Sequence, residues 1–415
     1  MAVKIGGGRV MKNHLYYLEL NAEQLGKSSA NLERLGKLLR PDRDIDIKVK
    51  EMFPISNLGH PTKELKIKGS KVLLTEFKQI DIEAKFDKIE ALSNIDYIGL
   101  TDKGEIILNF KDDKSSSTGI YDFTYEFFEV HFHMGKYANF CIKNNFEDLI
   151  KENVQELLVK LGSVEKQYRF IVKNDEVFLR GLTSKTYRNY NNNIALFISL
   201  LYLNKFAIEN EIVFSIEHAR ISDSAIKIIL EQENAVSIPG VGKVYFGIVI
   251  SNSEIKQSTF SLEIRYKLVD EEDSTKSFTA IPVLRDSIFN VYHNTGIAKL
   301  EEKVGDINTL KNAQNSILTL IKEIKEIRTI SDDTIFNLFR KITNNQQNFK
   351  AETRQNMQEL YEKNIINNTL NLIQAFDKTT SITSDFDERV FLERIYHELI
   401  SDLIKRKQKN KEKPV

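Results

Sequence analysis

The pattern of apolar and polar positions divides the chain into three parts with different periodicities. To residue 162, short apolar runs alternate with stretches of helical spacing. Residues 163–297 contain mostly short runs of β-branched and aromatic residues between polar turns, which predict strands. Residues 298–404 repeat apolar side chains every three or four positions, which predicts amphipathic helices. A basic tail, residues 405–415, follows.

The first part is predicted to be mixed α and β. Helical spacing over Asn21–Leu39 and Phe146–Leu161 predicts two amphipathic helices, and Gly162 suits the end of the second. Lys111–Gly119 is predicted to be a polar loop. The predicted strands are Val72–Leu74, Ile98–Leu100 and Ile106–Phe110.

The middle part is predicted to be a β-rich domain with one buried helix. Tyr168–Val172 and Val177–Arg180 flank a polar turn, as in a hairpin. The apolar stretch Asn192–Lys205 predicts a buried helix. Strands of this kind beside one helix indicate an α+β fold. The further predicted strands are Ile212–Glu217, Ala225–Leu230, Val244–Ser251, Phe260–Val269 and Phe278–Val283.

The last part has to bury the apolar stripes of its helices against some other surface. We therefore expect an all-α bundle or a coiled coil, with self-association through these helices. The predicted fold class is α+β, with the β-rich middle domain followed by the helical region.

Composition limits the function classes. Lys plus Arg equals Asp plus Glu at 59 each, so no global field favours nucleic acid or membrane, and a charged partner needs a local patch. The single cysteine, Cys141, and the lack of an apolar leader predict a cytoplasmic protein. The longest apolar run, Ile194–Leu203, is too short to span a bilayer.

Few residues have the spacing of catalytic or metal sites. On a strand, Glu129, His131 and His133 would share one face and could hold Zn or Fe with His218 or His293. The alternative, an ordinary solvated strand face, is favoured because no spaced third ligand is evident, and we predict no metal.

Two further motifs are also assigned to structure. Cys141 lies between apolar neighbours, where a thiolate is disfavoured. Pro239–Lys243 resembles a phosphate loop but leads into a strand, so a tight turn is predicted. We therefore predict no catalytic residue and no cofactor.

The segment Thr183–Tyr190 combines cations, hydroxyls and aromatic rings, which can contact phosphates and stack on bases. An ordinary polar connection before a helix is the alternative. If the segment binds nucleic acid, the site residues are expected to converge on one exposed, positively charged groove. The residues expected in this groove are Lys185, Tyr187, Arg188, Arg265 and Arg285, and Lys267 is a further candidate binding residue.

Three segments of the middle part resemble a family of phage/plasmid-like proteins known as domain of unknown function 932. They are Phe178–Arg188, Phe246–Glu254, and the stretch from Val283 to Gly296 with its Arg285 and His293-Asn294-Thr295-Gly296. The resemblance covers about residues 165–325. It implies a phage, prophage or plasmid context, and it implies no catalytic residue.

The favoured hypothesis is a mobile-element protein that binds single-stranded DNA or RNA. The second is an oligomeric structural or interaction protein of a phage or anti-phage system. The third is an enzyme that uses His131 and His133 with a metal.

Overall fold

The computed structural model describes residues 15–81, 85–111, 116–256, 258–282, 289–293, 295–305, 308–324, 331–363 and 372–411. The strands in these ranges are β1 (Tyr17–Asn21), β2 (Ser29–Asn31), β3 (Glu64–Lys68), β4 (Lys85–Ala91), β5 (Ile95–Leu100), β6 (Ile106–Phe110), β7 (Ser116–Gly119), β8 (Glu165–Lys173), β9 (Glu176–Thr183), β10 (Phe214–Ser222), β11 (Ala225–Gln232), β12 (Val236–Ile238), β13 (Gly242–Ser253), β14 (Phe260–Asp270), β15 (Ser277–Ala280) and β16 (Phe289–Val291).

Helices lie between and after these strands. They are α1 (Ala22–Leu25), α2 (Leu32–Gly36), α3 (Asp44–Met52), α4 (Ser70–Asp81), α5 (Phe123–Phe132), α6 (Gly135–Lys143), α7 (Glu147–Lys160), α8 (Asn192–Glu209), α9 (Ile297–Gly305), α10 (Asn308–Ile324), α11 (Asp332–Thr343), α12 (Ala351–Glu362), α13 (Leu372–Thr380) and α14 (Phe386–Lys411). The predicted α+β class, with the helical region at the C-terminal end, is confirmed.

The larger sheet has ten strands in the order β15-β14-β13-β11-β10-β3-β2, with β1 beside β10, β12 beside β13 and β16 beside β14. Its pairs are antiparallel except for β3 with β10. The smaller sheet has six strands in the order β4-β8-β9-β7-β6-β5. Each sheet takes strands from both sides of residue 162, so the boundary predicted there does not separate two sheets.

The predicted hairpin and the predicted buried helix are both present. Strands β8 and β9 pair in antiparallel register, from Gln167 opposite Thr183 to Lys173 opposite Glu176. Helix α8 is apolar around its whole circumference, and it is buried in the core of the larger sheet. It starts after Asn191, which has extended backbone angles at the N-cap.

The C-terminal helices cover their apolar stripes within the same chain. Helix α14 packs on β15 and on α10, α11 and α13. Tyr396 stacks on Phe376 at a centroid distance of 4.0 Å and meets Phe278 of β15 edge-on. Their apolar side chains belong to the same core cluster as the larger sheet. The helical pattern is therefore explained without an oligomeric coiled coil, and self-association through these helices stays a prediction.

Four local predictions differ from the structure. The single helix over Asn21–Leu39 is instead α1, β2 and α2. Gly26 ends α1 with a φ of +62°, and Asn31 starts α2 by accepting a hydrogen bond from Arg34 N. Val72–Leu74 belongs to helix α4, because Leu73, Phe77 and Ile80 form one buried face.

The other two differences involve aromatic and serine-rich stretches. Glu129–His133 is not a strand, because helix α5 includes residues 129 to 132 and His133 is its left-handed C-cap. The predicted loop Lys111–Gly119 ends in strand β7, which joins β6 to β9. Residues 112–115 of that loop lie outside the described residues. No helix in the described ranges has the length and apolarity needed to cross a bilayer.

The packing of α14 predicts a large cost for removing Tyr396. Its ring is fully buried, and its hydroxyl donates to the carbonyl oxygen of Phe376 at 3.0 Å. Tyr396→Ala is expected to lower the free energy of unfolding by about 3–5 kcal/mol, the range for deleting a buried aromatic ring. Urea denaturation followed by circular dichroism measures it. Phe391→Ala, on the same helix with 37% of its surface exposed, is the control, and equal losses in both variants would contradict the packing described.

Candidate functional site

The predicted segment Thr183–Tyr190 lies where the two sheets meet. It follows β9 of the smaller sheet and leads into α8 under the larger sheet. Tyr187 N donates to Ser184 O at 2.9 Å and closes a turn. Ser184, Lys185, Thr186 and Arg188 are exposed, whereas Tyr187 is half-buried. The loop is thus an exposed turn on a buried base.

The base of this loop is a buried group of charges centred on Glu254, which we call the Glu254 cluster: Glu254, Lys85, Arg169 and Arg180. Arg180 Nη1 donates to Glu254 Oε2 at 2.7 Å. Lys85 Nζ lies 3.5 Å from Glu254 Oε1, and Asn192 N, at the start of α8, donates to the same oxygen at 2.9 Å. Arg169 donates to the backbone carbonyl oxygen of Glu254. Glu254 follows β13, whereas the cations come from β4, β8 and β9, so the cluster joins the two sheets.

The electrostatics of the cluster keep Glu254 ionised. Burial alone would raise the pKa of Glu254, but the positive charges of Lys85, Arg180 and Arg169 outweigh it and hold this pKa well below its ordinary value. Arg169 and Arg180 are almost completely buried, and buried guanidinium groups require such acceptors.

A second contact between the sheets lies beside the first. Tyr121 donates its hydroxyl proton to Asp223 Oδ2 at 2.6 Å, and Arg180 Nη1 lies 3.3 Å from Asp223 O. Burial and the Asp223 charge raise the pKa of Tyr121 above its ordinary range. The phenol therefore stays a donor, and the turn between β10 and β11 is fixed to the smaller sheet.

Asparagines hold the loop to the same base. Arg169 Nε donates to Asp87 Oδ1 at 2.9 Å, and its Nη2 donates to Asn191 Oδ1 at 2.7 Å. Asn189 Nδ2 donates to Asp87 Oδ2 at 2.7 Å. The C-terminal end of the loop is thus anchored by charge-assisted hydrogen bonds.

His293 holds the middle of the loop. Its ring stacks on Tyr187 at 4.6 Å and 8°. Arg188 N donates to His293 O at 2.5 Å, and His293 Nδ1 lies 3.2 Å from Arg188 O. Burial lowers the pKa of His293 to about 4, so the ring is neutral at pH 7 and Nδ1–H donates. The three segments singled out by the family resemblance thus meet at one place, through Arg180, Glu254 and His293.

The structure places the predicted cations of the loop at the surface. Lys185 is exposed and lies 3.0 Å from Glu165 Oε2. Arg188 is exposed and has no ion pair within the described ranges. Tyr187 was expected to stack on bases, but its ring faces His293 and lies 5.8 Å from the guanidinium of Arg169. That expectation is corrected, because Tyr187 supports the loop from below.

The other predicted cations lie elsewhere. Arg265 is 5% exposed, and its Nε and Nη2 donate to the two carboxylate oxygens of Glu393 at 2.8 and 2.6 Å. Lys267 Nζ lies 3.9 Å from Glu231 Oε1 and over the ring of Tyr245. Arg285 lies outside the described residues. The expected single groove is therefore corrected: Arg265 is buried by its acidic partner, and it shares a different pocket with Lys267.

Sequence reasoning missed the residues that organise the site. Arg169 and Arg180 interrupt strongly apolar strands, and a charge at such a position signals a buried partner. Glu254 follows a long apolar strand in the same way. Tyr292, 61% exposed, was also missed, although it directly precedes His293.

The structure separates the two histidines of the metal candidate and buries the cysteine candidate. His131 is buried, and its Nε2 lies 3.0 Å from the hydroxyl of Tyr168. Burial and the charge of Lys166 lower its pKa to about 4. His133 is exposed at the end of α5, so the two imidazoles do not share a face. Cys141 is buried, and no group of three or more metal-ligating side chains occurs among the described residues.

Comparisons with known proteins return no matching family model, curated protein or solved structure. The resemblance to domain of unknown function 932 therefore stays a prediction.

Removing the charge of Glu254 is predicted to destabilise the fold strongly. Glu254→Gln leaves Arg180 buried without its ion-pair partner and leaves Lys85 with Asp81 alone, and breaking a buried pair in this way costs about 3–5 kcal/mol. Chemical denaturation at pH 7 measures the loss. Glu156→Gln is the control, because Glu156 pairs with Lys160 at the exposed surface of α7, and the loss of such a pair is expected to be small. A loss that small for Glu254→Gln would contradict the role given to the cluster.

The pH dependence of stability is predicted from the same group. Because the folded-state pKa of Glu254 is lowered below its ordinary value of 4.5, its ionisation stabilises the fold above about pH 4.5. This stability is lost as the pH falls further towards the folded-state pKa. Unfolding free energies between pH 7 and pH 3 should therefore fall more steeply for the wild type than for Glu254→Gln. Parallel curves would exclude Glu254 as the source.

Proposed function

We propose that the chain binds single-stranded nucleic acid at the surface formed by Lys185, Arg188 and Tyr292, which we call the Arg188–Tyr292 surface. The observation behind this proposal is that Arg188 is exposed without an ion pair among the described residues, while Tyr292, in the neighbouring segment, is 61% exposed. The backbone hydrogen bond from Arg188 to His293 holds the two segments together.

These side chains have complementary roles towards a single strand. A guanidinium binds phosphate, and an exposed ring stacks on an unpaired base. Lys185 is available as well, because its contact with Glu165 joins two side chains that are 60% and 47% exposed. Surface pairs of this kind contribute little to stability, so a phosphate can replace Glu165.

The buried contacts beneath the Arg188–Tyr292 surface hold its loop in one conformation, which favours binding. The loop is fixed by the Glu254 cluster and by the Tyr187–His293 stack. A fixed loop loses little conformational entropy when a ligand binds. Duplex DNA would use only the phosphate contacts, since its bases are stacked, so a preference for single strands follows.

The phage or plasmid context stays a prediction that rests on the family resemblance. The alternative function, an oligomeric structural or interaction protein, loses part of its motive because the C-terminal helices bury their apolar side chains within this chain. One observation still favours a protein partner: Phe140, Phe146 and Leu149 are exposed at the corner between α6 and α7.

Fluorescence anisotropy tests the proposal. A labelled oligo-dT of about 30 nucleotides is titrated with the protein at about 50 and 200 mM salt, beside a duplex of equal length. We expect tighter binding of the single strand and a marked loss of affinity at the higher salt. Arg188→Ala should reduce the slope of log K against log salt by about 0.7, the value for one phosphate contact on a single strand.

Tyr292→Ala should weaken binding by about 1–3 kcal/mol without changing the salt slope, and Tyr292→Phe should retain affinity. Lys151→Ala is the matched charge control, because Lys151 is exposed on α7 and has no ion pair within the described ranges. If no salt-sensitive binding occurs, or if Lys151→Ala weakens binding as much as Arg188→Ala, the proposal is rejected.

A further inference from the structure

A polar pocket of about 450 Å³ lies between one face of the larger sheet and helix α14. Its volume is in the range of small-molecule sites. It is separate from the Arg188–Tyr292 surface, since none of those three residues lines it. The charged lining residues are Glu217, Glu231, Arg265, Lys267, Arg389 and Glu393.

The floor of the pocket exists because a glycine interrupts the side-chain layer of the sheet. Gly247 of β13 pairs with Glu231 on one side and with Arg265 on the other, so all three lie on one face. A Cβ at Gly247 would lie 2.6 Å from the carbonyl oxygen of Leu230, which excludes any side chain there. Arg265 Nη1 therefore reaches to 3.8 Å from Glu231 Oε2 across the glycine.

One pair of charges in the pocket is already satisfied. Glu393 accepts both hydrogen bonds of the Arg265 guanidinium and is also contacted by the hydroxyl of Thr279. Burial alone would raise the pKa of Glu393, but Arg265 lowers it below its ordinary value. These groups fix α14 to the sheet and are not free for a ligand.

Four other charged side chains of the pocket are available to a ligand: Glu217, Glu231, Lys267 and Arg389. Glu217 lies at a β-bulge of β10, where the register shifts between Ile216 and His218, and bulges redirect side chains next to sites. Neither Glu217 nor Arg389 makes an ion pair or a side-chain hydrogen bond within the described part of the chain. Lys267 approaches Glu231 only to 3.9 Å, and burial raises the pKa of Glu231 although Lys267 and Arg265 act to lower it.

Arg389 is placed to face these groups. It lies one helical turn before Glu393 on α14, so both side chains are on the same face of the helix. It therefore supplies a positive charge opposite the acids of the sheet.

One part of the remaining wall is apolar and the other part is polar. Phe386 stacks on His218 at 4.3 Å and 19°, and Ile229, Phe278 and Val390 complete the apolar part. The polar part is formed by Asn21, Ser277, Thr279 and Thr380. Burial lowers the pKa of His218, so its ring is mainly uncharged at neutral pH and leaves the balance of charges unchanged.

We infer that this pocket binds an α-amino acid with an apolar side chain. Glu217 and Glu231 would receive the ammonium group, Lys267 and Arg389 the carboxylate, and the wall beside Phe386 the side chain. A purely anionic or cationic ligand would leave two like charges of the pocket without a partner, at a cost in desolvation.

Isothermal titration calorimetry with the full chain tests this inference. The probe is L-leucine, and its two half-molecules are the controls: 4-methylpentanoate lacks the ammonium group, and 3-methylbutylamine lacks the carboxylate. Titrations at about 15 and 30 °C are used, because apolar burial gives binding a heat-capacity change and the heat cannot vanish at both temperatures. We expect a Kd for leucine between about 10 μM and 1 mM, with each half-molecule at least about tenfold weaker.

Variants assign the contacts. Glu217→Gln and Arg389→Gln should each weaken leucine binding by about tenfold or more, and both leave the Arg265–Glu393 pair intact. Lys151→Gln, on α7, should bind as the wild type does, and thermal unfolding of each variant shows whether it is folded.

Three outcomes would overturn the inference. They are no binding of leucine up to about 10 mM at either temperature, a half-molecule that binds as tightly as leucine, and folded Glu217→Gln and Arg389→Gln variants with wild-type affinity. Each is independent of nucleic-acid binding, so this inference and the proposed function can fail separately.

Discussion

The buried carboxylate of Glu254 is the interaction on which the arrangement of the two sheets depends. A carboxylate removed from water is unstable unless positive charges and donors replace its hydration. Here Arg180 and Lys85 come from the smaller sheet, and the backbone N–H of Asn192 comes from the start of α8. Such donors satisfy the carboxylate only in one relative position of the sheets. Apolar packing alone would tolerate small shifts between them, whereas this geometry does not.

The same constraint determines what the surface presents. Tyr187 lies above the cluster, with its hydroxyl 3.4 Å from the backbone oxygen of Glu254, and His293 stacks on its ring at 4.6 Å between centroids. Arg188, the next residue, is thereby directed outward, next to the chain segment that includes Tyr292. The exposed groups are therefore consequences of a buried charge, although none of them touches it.

Local patterns in the sequence were sufficient for elements whose periodicity was unambiguous. The polar turn between β8 and β9 predicts a hairpin. The length of the apolar stretch in α8 predicts a buried helix. Glu129–His133 failed because a short aromatic stretch fits a strand and a helix equally well, and the packing of Phe127 and Phe128 in the smaller sheet's core decided for the helix. The strand predicted at Val72–Leu74 was wrong for the same reason, because this apolar run is only a short part of the helix that contains it.

The sites were harder to predict because their partners are distant along the chain. Arg180 and Glu254 are separated by 74 residues, and Arg265 and Glu393 by 128. A single sequence gives the charge of each residue but not the acid that folding brings to it. Because acidic and basic residues are equal in number, an acidic partner is available in the chain for most cations. Arg265 pairs with such an acid and is a structural residue at the base of a pocket. Arg188 has no acidic partner among the described residues. An anionic ligand can therefore form charge-assisted hydrogen bonds with the Arg188 guanidinium, whereas those of Arg265 are already made with Glu393. The distinction between a cation that holds the fold and one that can bind a partner is therefore made by folding, and it appears only when both members of each pair are placed.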